Sequence, residues 1–254
     1  MNEQIDLLIQ GPEVAANPDA GTVPPTPKPA PDGVDGTPGS CSGGKNPTCV
    51  CANAKAPTPG QPGVHGVNGT PGKPGASAPN VRINIGTLSV ATTPTNPAAM
   101  LYILSQGRSG SAGTPGGNGG NGGNGGSAGK NVSGCLDGTP APCLPGRGAP
   151  GGNGGNGGNA GNGSDGGNGG NVTVIVAKIV GSPNIDANSL GGAAGAIGPQ
   201  GGRGNGGSGG ANEADPTTPF ADDGVAGLDG QPGTVGRPGA KGTITVHLPT
   251  SPIP

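Results

Sequence analysis

The sequence predicts a glycine-rich, irregular fold: an antiparallel bundle of about six polyglycine II helices on a small β-rich base, built from three internal repeats. Three observations predict it. Glycine recurs at every third position, as in Gly192, Gly195, Gly198, Gly201, Gly204, Gly207 and Gly210, and again in Gly224, Gly227, Gly230, Gly233, Gly236, Gly239 and Gly242. Gly 61 and Pro 31 make up more than a third of the 254 residues, and only 29% are hydrophobic. Short apolar segments stand at regular places between the glycine runs.

A period of three belongs to the extended left-handed helix with three residues per turn, and Gly on every turn leaves it a bare face. Another backbone can lie against such a face. The composition offers little else: Tyr102 and Phe220 are the aromatic residues, and burial of apolar area is what normally offsets chain entropy. Composition alone fits low-complexity disorder, and runs such as GLDGQPGTVGRPGAKG fit a collagen-like trimer. The strict period and the apolar segments argue against disorder. Short runs, Gly-Gly-Asn triplets with little Pro, and a chain that folds back argue against collagen.

Each repeat opens on an apolar segment, runs out along a glycine tract, turns through a loop, returns along a second tract and closes in a strand. The expected divisions are 1–32, an N-terminal strand and Pro-rich segment, then repeats at 33–99, 100–183 and 184–254. The middle repeat is clearest: Met100 to Leu104 opens, Gly107 to Gly125 runs out, Gly151 to Asn171 returns, and Val172 to Val180 closes. The closing strands alternate at Val81, Ile83, Ile85, at Val172, Val174, Val176 and at Ile244, Val246, Leu248, which predicts one apolar face each. About seven triplets at roughly 3.1 Å per residue extend on the order of 60 Å.

Net charge is −2 with 10% charged residues, and no Lys/Arg run or aromatic platform suits nucleic acid. No stretch reaches membrane-spanning length, and Met1 to Gln10 is too short and too acidic for a classical signal peptide. Five cysteines sit in two loop clusters. Cys135 and Cys143 flank a short turn that suits a local disulfide. Cys41 with Cys49 or Cys51 would close another loop and leave one thiol over. Metal is disfavoured there because His65 and His247 are remote, and disulfides imply an oxidising destination.

The GVHGVNGTPGKPGA phrase (63–76), the GGNGGNGG runs and the Cys-tied loops resemble the snow flea antifreeze proteins. Helices ending in variable loops resemble the receptor-binding adhesins at the tips of phage long tail fibres. These resemblances imply bundled polyglycine II helices and two roles, ice binding through helix faces or recognition through loops. The strands have no counterpart in the antifreeze bundles, which ranks ice binding second.

Loops on a rigid scaffold usually carry binding residues, so Leu136, Leu144, Arg147, Phe220 and Asp222 are the candidate contacts to a cell-surface receptor. Glu213, Asp215, Asp222 and Asp223 could meet calcium, but their spacing matches no loop motif, and no cofactor or metal is expected. The Asn rows (Asn118, Asn121, Asn124; Asn153, Asn156, Asn159) read either as a polar array for a ligand or as amides bonding nearby backbone. No catalytic constellation is visible. The expectation is a non-enzymatic extracellular module, an adhesin tip or a fibre or coat component at a virion or cell surface. Ice binding and a self-assembling fibre of neighbouring copies are the alternatives.

Overall fold

The computed structural model describes residues 7–14, 22–42, 48–50, 56–89, 100–131, 145–181, 183–213, 217 and 219–249. Eight strands are present: β1 (Leu7–Gln10), β2 (Ser40–Ser42), β3 (Thr48–Val50), β4 (Val81–Ser89), β5 (Met100–Gln106), β6 (Val172–Val180), β7 (Asn184–Leu190) and β8 (Ile244–His247). They form two parallel three-stranded sheets, ordered β1-β5-β7 and β4-β6-β8, and the small antiparallel pair β2-β3.

This architecture corrects the expected helical bundle. No helix occurs among the described residues. The glycine runs are extended tracts whose backbone hydrogen bonds go to other tracts, and the β portion is two full parallel sheets. The expected antiparallel order is also only half the pattern. Numbered along the chain, the tracts are 24–39, 58–78, 107–130, 146–171, 191–210 and 221–242. Outbound tracts 1, 3 and 5 run parallel to one another, as in Gly33 N–H to Asn124 O (2.7 Å) and Gly36 N–H to Ser127 O (2.9 Å). Return tracts 2, 4 and 6 do the same, through Gly63 N–H to Asn153 O and Gly66 N–H to Asn156 O, both 2.8 Å. Only between the two layers is the sense reversed, as in Gly152 N–H to Gly123 O and Gly155 N–H to Gly120 O, again 2.8 Å.

The sheets continue these layers. Every repeat leaves from the first sheet and returns into the second, so strands of the same role point the same way and pair in parallel. Leu101 lies opposite Ile185 in the first sheet, and Val174 lies between Ile83 and Val246 in the second. The long crossover that parallel pairing needs is supplied by the tract excursion. The apolar core lies between the sheets: Ile103, Val172, Val174 and Val176 are buried, with Ile9, Val81, Ile83, Ile85, Leu101, Ile185 and Ile244 packed on them. The apolar face expected on the last strand fades outward. Ile244 packs, but Val246 and Leu248 are exposed, because β8 is an edge and its sheet faces the polar strand NIDANSL.

Where sheets become tracts, the layers must close from the roughly 10 Å spacing of stacked sheets to backbone contact. Two small hydroxyls stand at that step. Ser105 and Ser189 are register partners, both buried. Ser105 Oγ accepts from Gly170 N–H (3.0 Å), and Ser189 Oγ donates to Gly170 O (2.9 Å) and accepts from Gly242 N–H (3.0 Å). No described buried side-chain polar atom lacks a partner.

In the tracts, glycine is placed by crowding. A Cβ at Gly158 would stand 1.8 Å from Val67 O, and one at Gly113 would stand 2.2 Å from Gly161 O. Tracts 3 and 4 have neighbours on most sides and carry two glycines per triplet. In tract 3 the doubling begins at Gly116-Gly117, where Pro24 of tract 1 starts to cover it. Before that point the same row holds Arg108, Ser111 and Thr114, and the Ser111 and Thr114 hydroxyls accept from Lys73 N–H and Thr70 N–H at 2.6 Å. Ala160 replaces a glycine in the row of Gly157 and Gly163 and shows the effect of one methyl. The bond from Gly236 N–H to Gly195 O stretches to 3.2 Å, and Gly233 N–H has no backbone partner among the described residues.

Outer rows of the edge tracts are the reverse. Ala226, Asp229, Pro232, Val235, Pro238 and Lys241 are exposed on tract 6, in the position that Gly154 and Gly157 hold on tract 4. Proline, with no N–H to give, concentrates in tracts 1 and 2 and is rare in tracts 3 and 4. Bulk, charge and missing donors close the strip at its sides, as natural sheets blunt their edges.

Two substitutions of one kind separate crowding from propensity. Gly158→Ala should destabilise the fold by about 3 kcal/mol or more. Gly202→Ala, whose Cβ would meet nothing nearer than Asn118 Oδ1 at 3.5 Å, should raise stability by about 0.4–1 kcal/mol through the unfolded state. Thermal and denaturant unfolding of both variants checks the pair.

Candidate functional site

Tracts 1 and 2, 3 and 4, and 5 and 6 are joined at the end remote from the two sheets, so the connections share that end. At the first, β2 pairs with β3 with Cys41 opposite Cys49, and Cys41 is disulfide-bonded. No strand signal stands out there among the residues, because three a side are too few for periodicity. Cys51, Cys135, Cys143, Leu136, Leu144 and Asp215 lie outside the described residues.

The other two connections are tied at their roots by Glu213. Its carboxylate accepts from the Asn131 backbone N–H, from Asn131 Nδ2 (2.6 Å) and from Gly146 N–H (3.0 Å), while Glu213 N–H donates to Gly146 O (2.9 Å). Beside it, Asn212 Oδ1 accepts from Gly148 N–H at 2.8 Å, and Asn212 N–H donates to Pro219 O at 2.8 Å. Ala211 and Phe220 form an isolated antiparallel bridge that closes the third connection. A carboxylate that satisfies three N–H groups fixes the chain in a way a neutral acceptor cannot, since such bonds are about twice as strong.

Among the expected contact residues, Arg147, Phe220 and Asp222 come to this end, and all three are exposed, Phe220 at 62%. Arg147 follows Gly146, Phe220 sits on the Ala211 bridge, and the Asp222 carbonyl accepts from Gly151 N–H at 3.0 Å. Asp223 is structural: its Oδ1 accepts from Gly209 N–H at 2.8 Å. The Glu213 carboxylate is taken up by two backbone N–H groups and the Asn131 side-chain amide, and no group of three or more metal-binding side chains occurs among the described residues. Sequence reasoning missed the clamp because a lone Glu in an acidic loop looks like its neighbours until the second connection is placed against it.

The second surface is the outer face of tracts 2, 4 and 6. Asn153, Asn156, Asn159, Asn162 and Asn168 form a row along tract 4, and each Oδ1 accepts from tract 6, at Val225, Leu228, Gln231, Thr234 and Ala240, within 2.8–2.9 Å. Asp165 takes the same place for Arg237 N–H (2.7 Å). Tract 2 answers on the other side: His65 Nδ1 accepts from Asn156 N–H and Asn68 Oδ1 from Asn159 N–H, both at 2.8 Å. In these rows the amides bond nearby backbone. An open groove crosses the face between Pro62, His65, Asn153, Asn156 and Val225.

No family model matches this chain, and no curated protein does. Among solved structures it is similar to the nine polyproline type II helical bundle springtail antifreeze protein from Granisotoma rainieri. The identity is 22% over 69% of this chain and 94% of that one, with a TM-score of 0.11. A score that low does not establish a shared fold. No helix among the described residues is long and apolar enough to cross a membrane.

Removing the clamp should loosen one end alone. Glu213→Ala leaves the Asn131 and Gly146 amides without their acceptor, a loss of about 1–3 kcal/mol. Hydrogen exchange should accelerate at those amides and stay unchanged at Gly119 and Gly155.

Proposed function

We propose that this chain is a non-enzymatic extracellular module, an adhesin tip or a fibre or coat component. In this reading a stiff glycine-tract body presents a recognition surface on its distal connections. The observation that supports it most is the Glu213 clamp. A plain connector needs no carboxylate fixing its neighbour's root, whereas a recognition surface gains affinity when its loops are held in place before binding. Phe220, Arg147 and Asp222 put an aromatic ring, a guanidinium and a carboxylate on that end, and aromatic and Arg side chains are the usual anchors of interfaces. A cell-surface receptor is the partner this chemistry suits, as the likeness to tail-fibre adhesins also suggests. Growth into a fibre by adding tracts at the sides is set aside, because Pro232, Pro238, Asp229 and Lys241 occupy the row such growth needs bare.

Ice binding remains the second reading, supported by the regular rows on tracts 2, 4 and 6. Against it, the Asn carbonyl oxygens of the central row are already bonded to backbone. Fluorescently labelled protein applied to arrays of glycans and intact cells separates the readings. The combined Phe220→Ala and Arg147→Ala variant should lose at least about tenfold in attachment, the effect expected of interface anchors, with its unfolding midpoint unchanged. Attachment that survives both changes, or thermal hysteresis in the unmodified protein, would contradict the recognition role.

A further inference from the structure

The chain contains nine Asn-Gly steps, at Asn68, Asn118, Asn121, Asn124, Asn153, Asn156, Asn162, Asn168 and Asn205. Asn-Gly is the dipeptide most open to spontaneous deamidation, because glycine puts no side chain in the way of ring closure. The Gly nitrogen, once deprotonated, attacks the Asn Cγ. The N–Cγ bond forms, the Cγ–Nδ2 bond breaks, and Nδ2 leaves as ammonia. Water then opens the cyclic imide at one carbonyl or the other, giving aspartate or its isoaspartyl isomer. No oxidant or reductant is involved. Two things must be free for the first step, the Gly N–H and the Asn side-chain amide.

At eight of the nine steps the fold holds both. Gly69, Gly119, Gly122, Gly125, Gly154, Gly157, Gly163 and Gly169 each donate the N–H to a carbonyl of another tract, all within 2.8–2.9 Å. At the same eight steps the Asn Oδ1 accepts a backbone N–H, from Asn159 at Asn68, from Gly202, Asn205 and Ser208 in tract 5, and from Val225, Leu228, Thr234 and Ala240 in tract 6. The ninth step has neither restraint. Gly206 N–H has no partner among the described residues, nor has the Asn205 side chain, which is exposed. The cause is what tract 6 offers: Arg203 and Gly209, one triplet to either side, donate to Asp229 Oδ1 and Asp223 Oδ1, whereas Ala226, between those two aspartates, carries no side-chain acceptor for Gly206.

We infer that Asn205 is the deamidation site of the folded protein, and that the tract hydrogen bonds shield the other eight Asn-Gly steps. The isoaspartyl product lengthens the main chain between Gly204 and Gly207. Their N–H groups are bonded to Gly155 O and Gly152 O at 2.8 Å with a fixed three-residue spacing, so the product strains the register of tract 5 against tract 4.

Incubation of the full chain in mildly alkaline buffer, followed by peptide mapping with mass spectrometry, tests this. Folded, Asn205 should convert at least about tenfold faster than any of the other eight sites, since exchange-type reactions at locked amides wait on local opening. In denaturant all nine should convert at comparable rates, which places the selectivity in the fold. Asn205→Gln should abolish the fast conversion and leave the unfolding midpoint where it was. Conversion first at a central-tract Asn, equal conversion in the folded chain, or Asn205 leading in denaturant too would each overturn the inference.

Discussion

In the middle of this molecule a carbonyl oxygen occupies the place where a side chain would begin. Cβ positions built on the central glycines fall about 2 Å from the oxygen of a neighbouring tract, as at Gly119 from Gly155 O (2.1 Å) and Gly155 from Val64 O (2.0 Å). That closeness lets the N–H groups of each tract reach their acceptors without a sheet or an α-helix. Each such bond is worth only about 0.5–1.5 kcal/mol net, while a buried donor left unpaired costs about 1–3. Completeness of pairing therefore matters more than the strength of any one bond. The Asn rows follow from this: the N–H groups of Gly202, Asn205 and Ser208 in tract 5 and of Val225, Leu228, Gln231, Thr234, Arg237 and Ala240 in tract 6 meet an Asn or Asp Oδ1 of tract 3 or tract 4 in place of a carbonyl.

The sheets solve a problem the tracts cannot. Glycine loses more freedom on ordering than any other residue, and bare backbones bury little apolar area. Ile103, Val172, Val174 and Val176 and the partly buried residues around them concentrate the hydrophobic contribution at one end. The same strands set the order of the tracts, because parallel pairing of β5 with β7 and of β4 with β6 fixes which tract lies beside which. At the other end the carboxylate of Glu213 does by hydrogen bonds what the apolar core does by burial. Between these two anchors lies the glycine lattice, closed at its sides by Pro and charged residues.

Much of this was legible in the residues. The three closing strands followed from alternation, since Val172 to Val180 cannot place its valines on one face in any other way. The out-and-back order followed from the paired glycine runs. The arrangement of the tracts was not legible: a period of three says that a bare face exists, but not which neighbour covers it or in which sense it runs. In hindsight the number of glycines per triplet carries that information. Gly-Gly-Asn marks tracts 3 and 4, and one glycine per triplet with Pro marks the edges. The change from Thr114 to Gly117 even marks where tract 1 begins to cover tract 3. The clamp stayed hidden because it joins Glu213 to Asn131 across 82 positions, a pairing no local pattern encodes.

Residue-resolved amide exchange on the native protein tests the central claim most directly. Inter-tract bonding predicts strong protection at Gly119, Gly120, Gly122 and Gly123 and at Gly154, Gly155, Gly157 and Gly158. It predicts rapid exchange at Gly206, Ala226, Asp229 and Val235, so that protection in the edge tracts rises and falls every three residues. Uniformly rapid exchange along the tracts, or protection without that three-residue rhythm, would contradict the account.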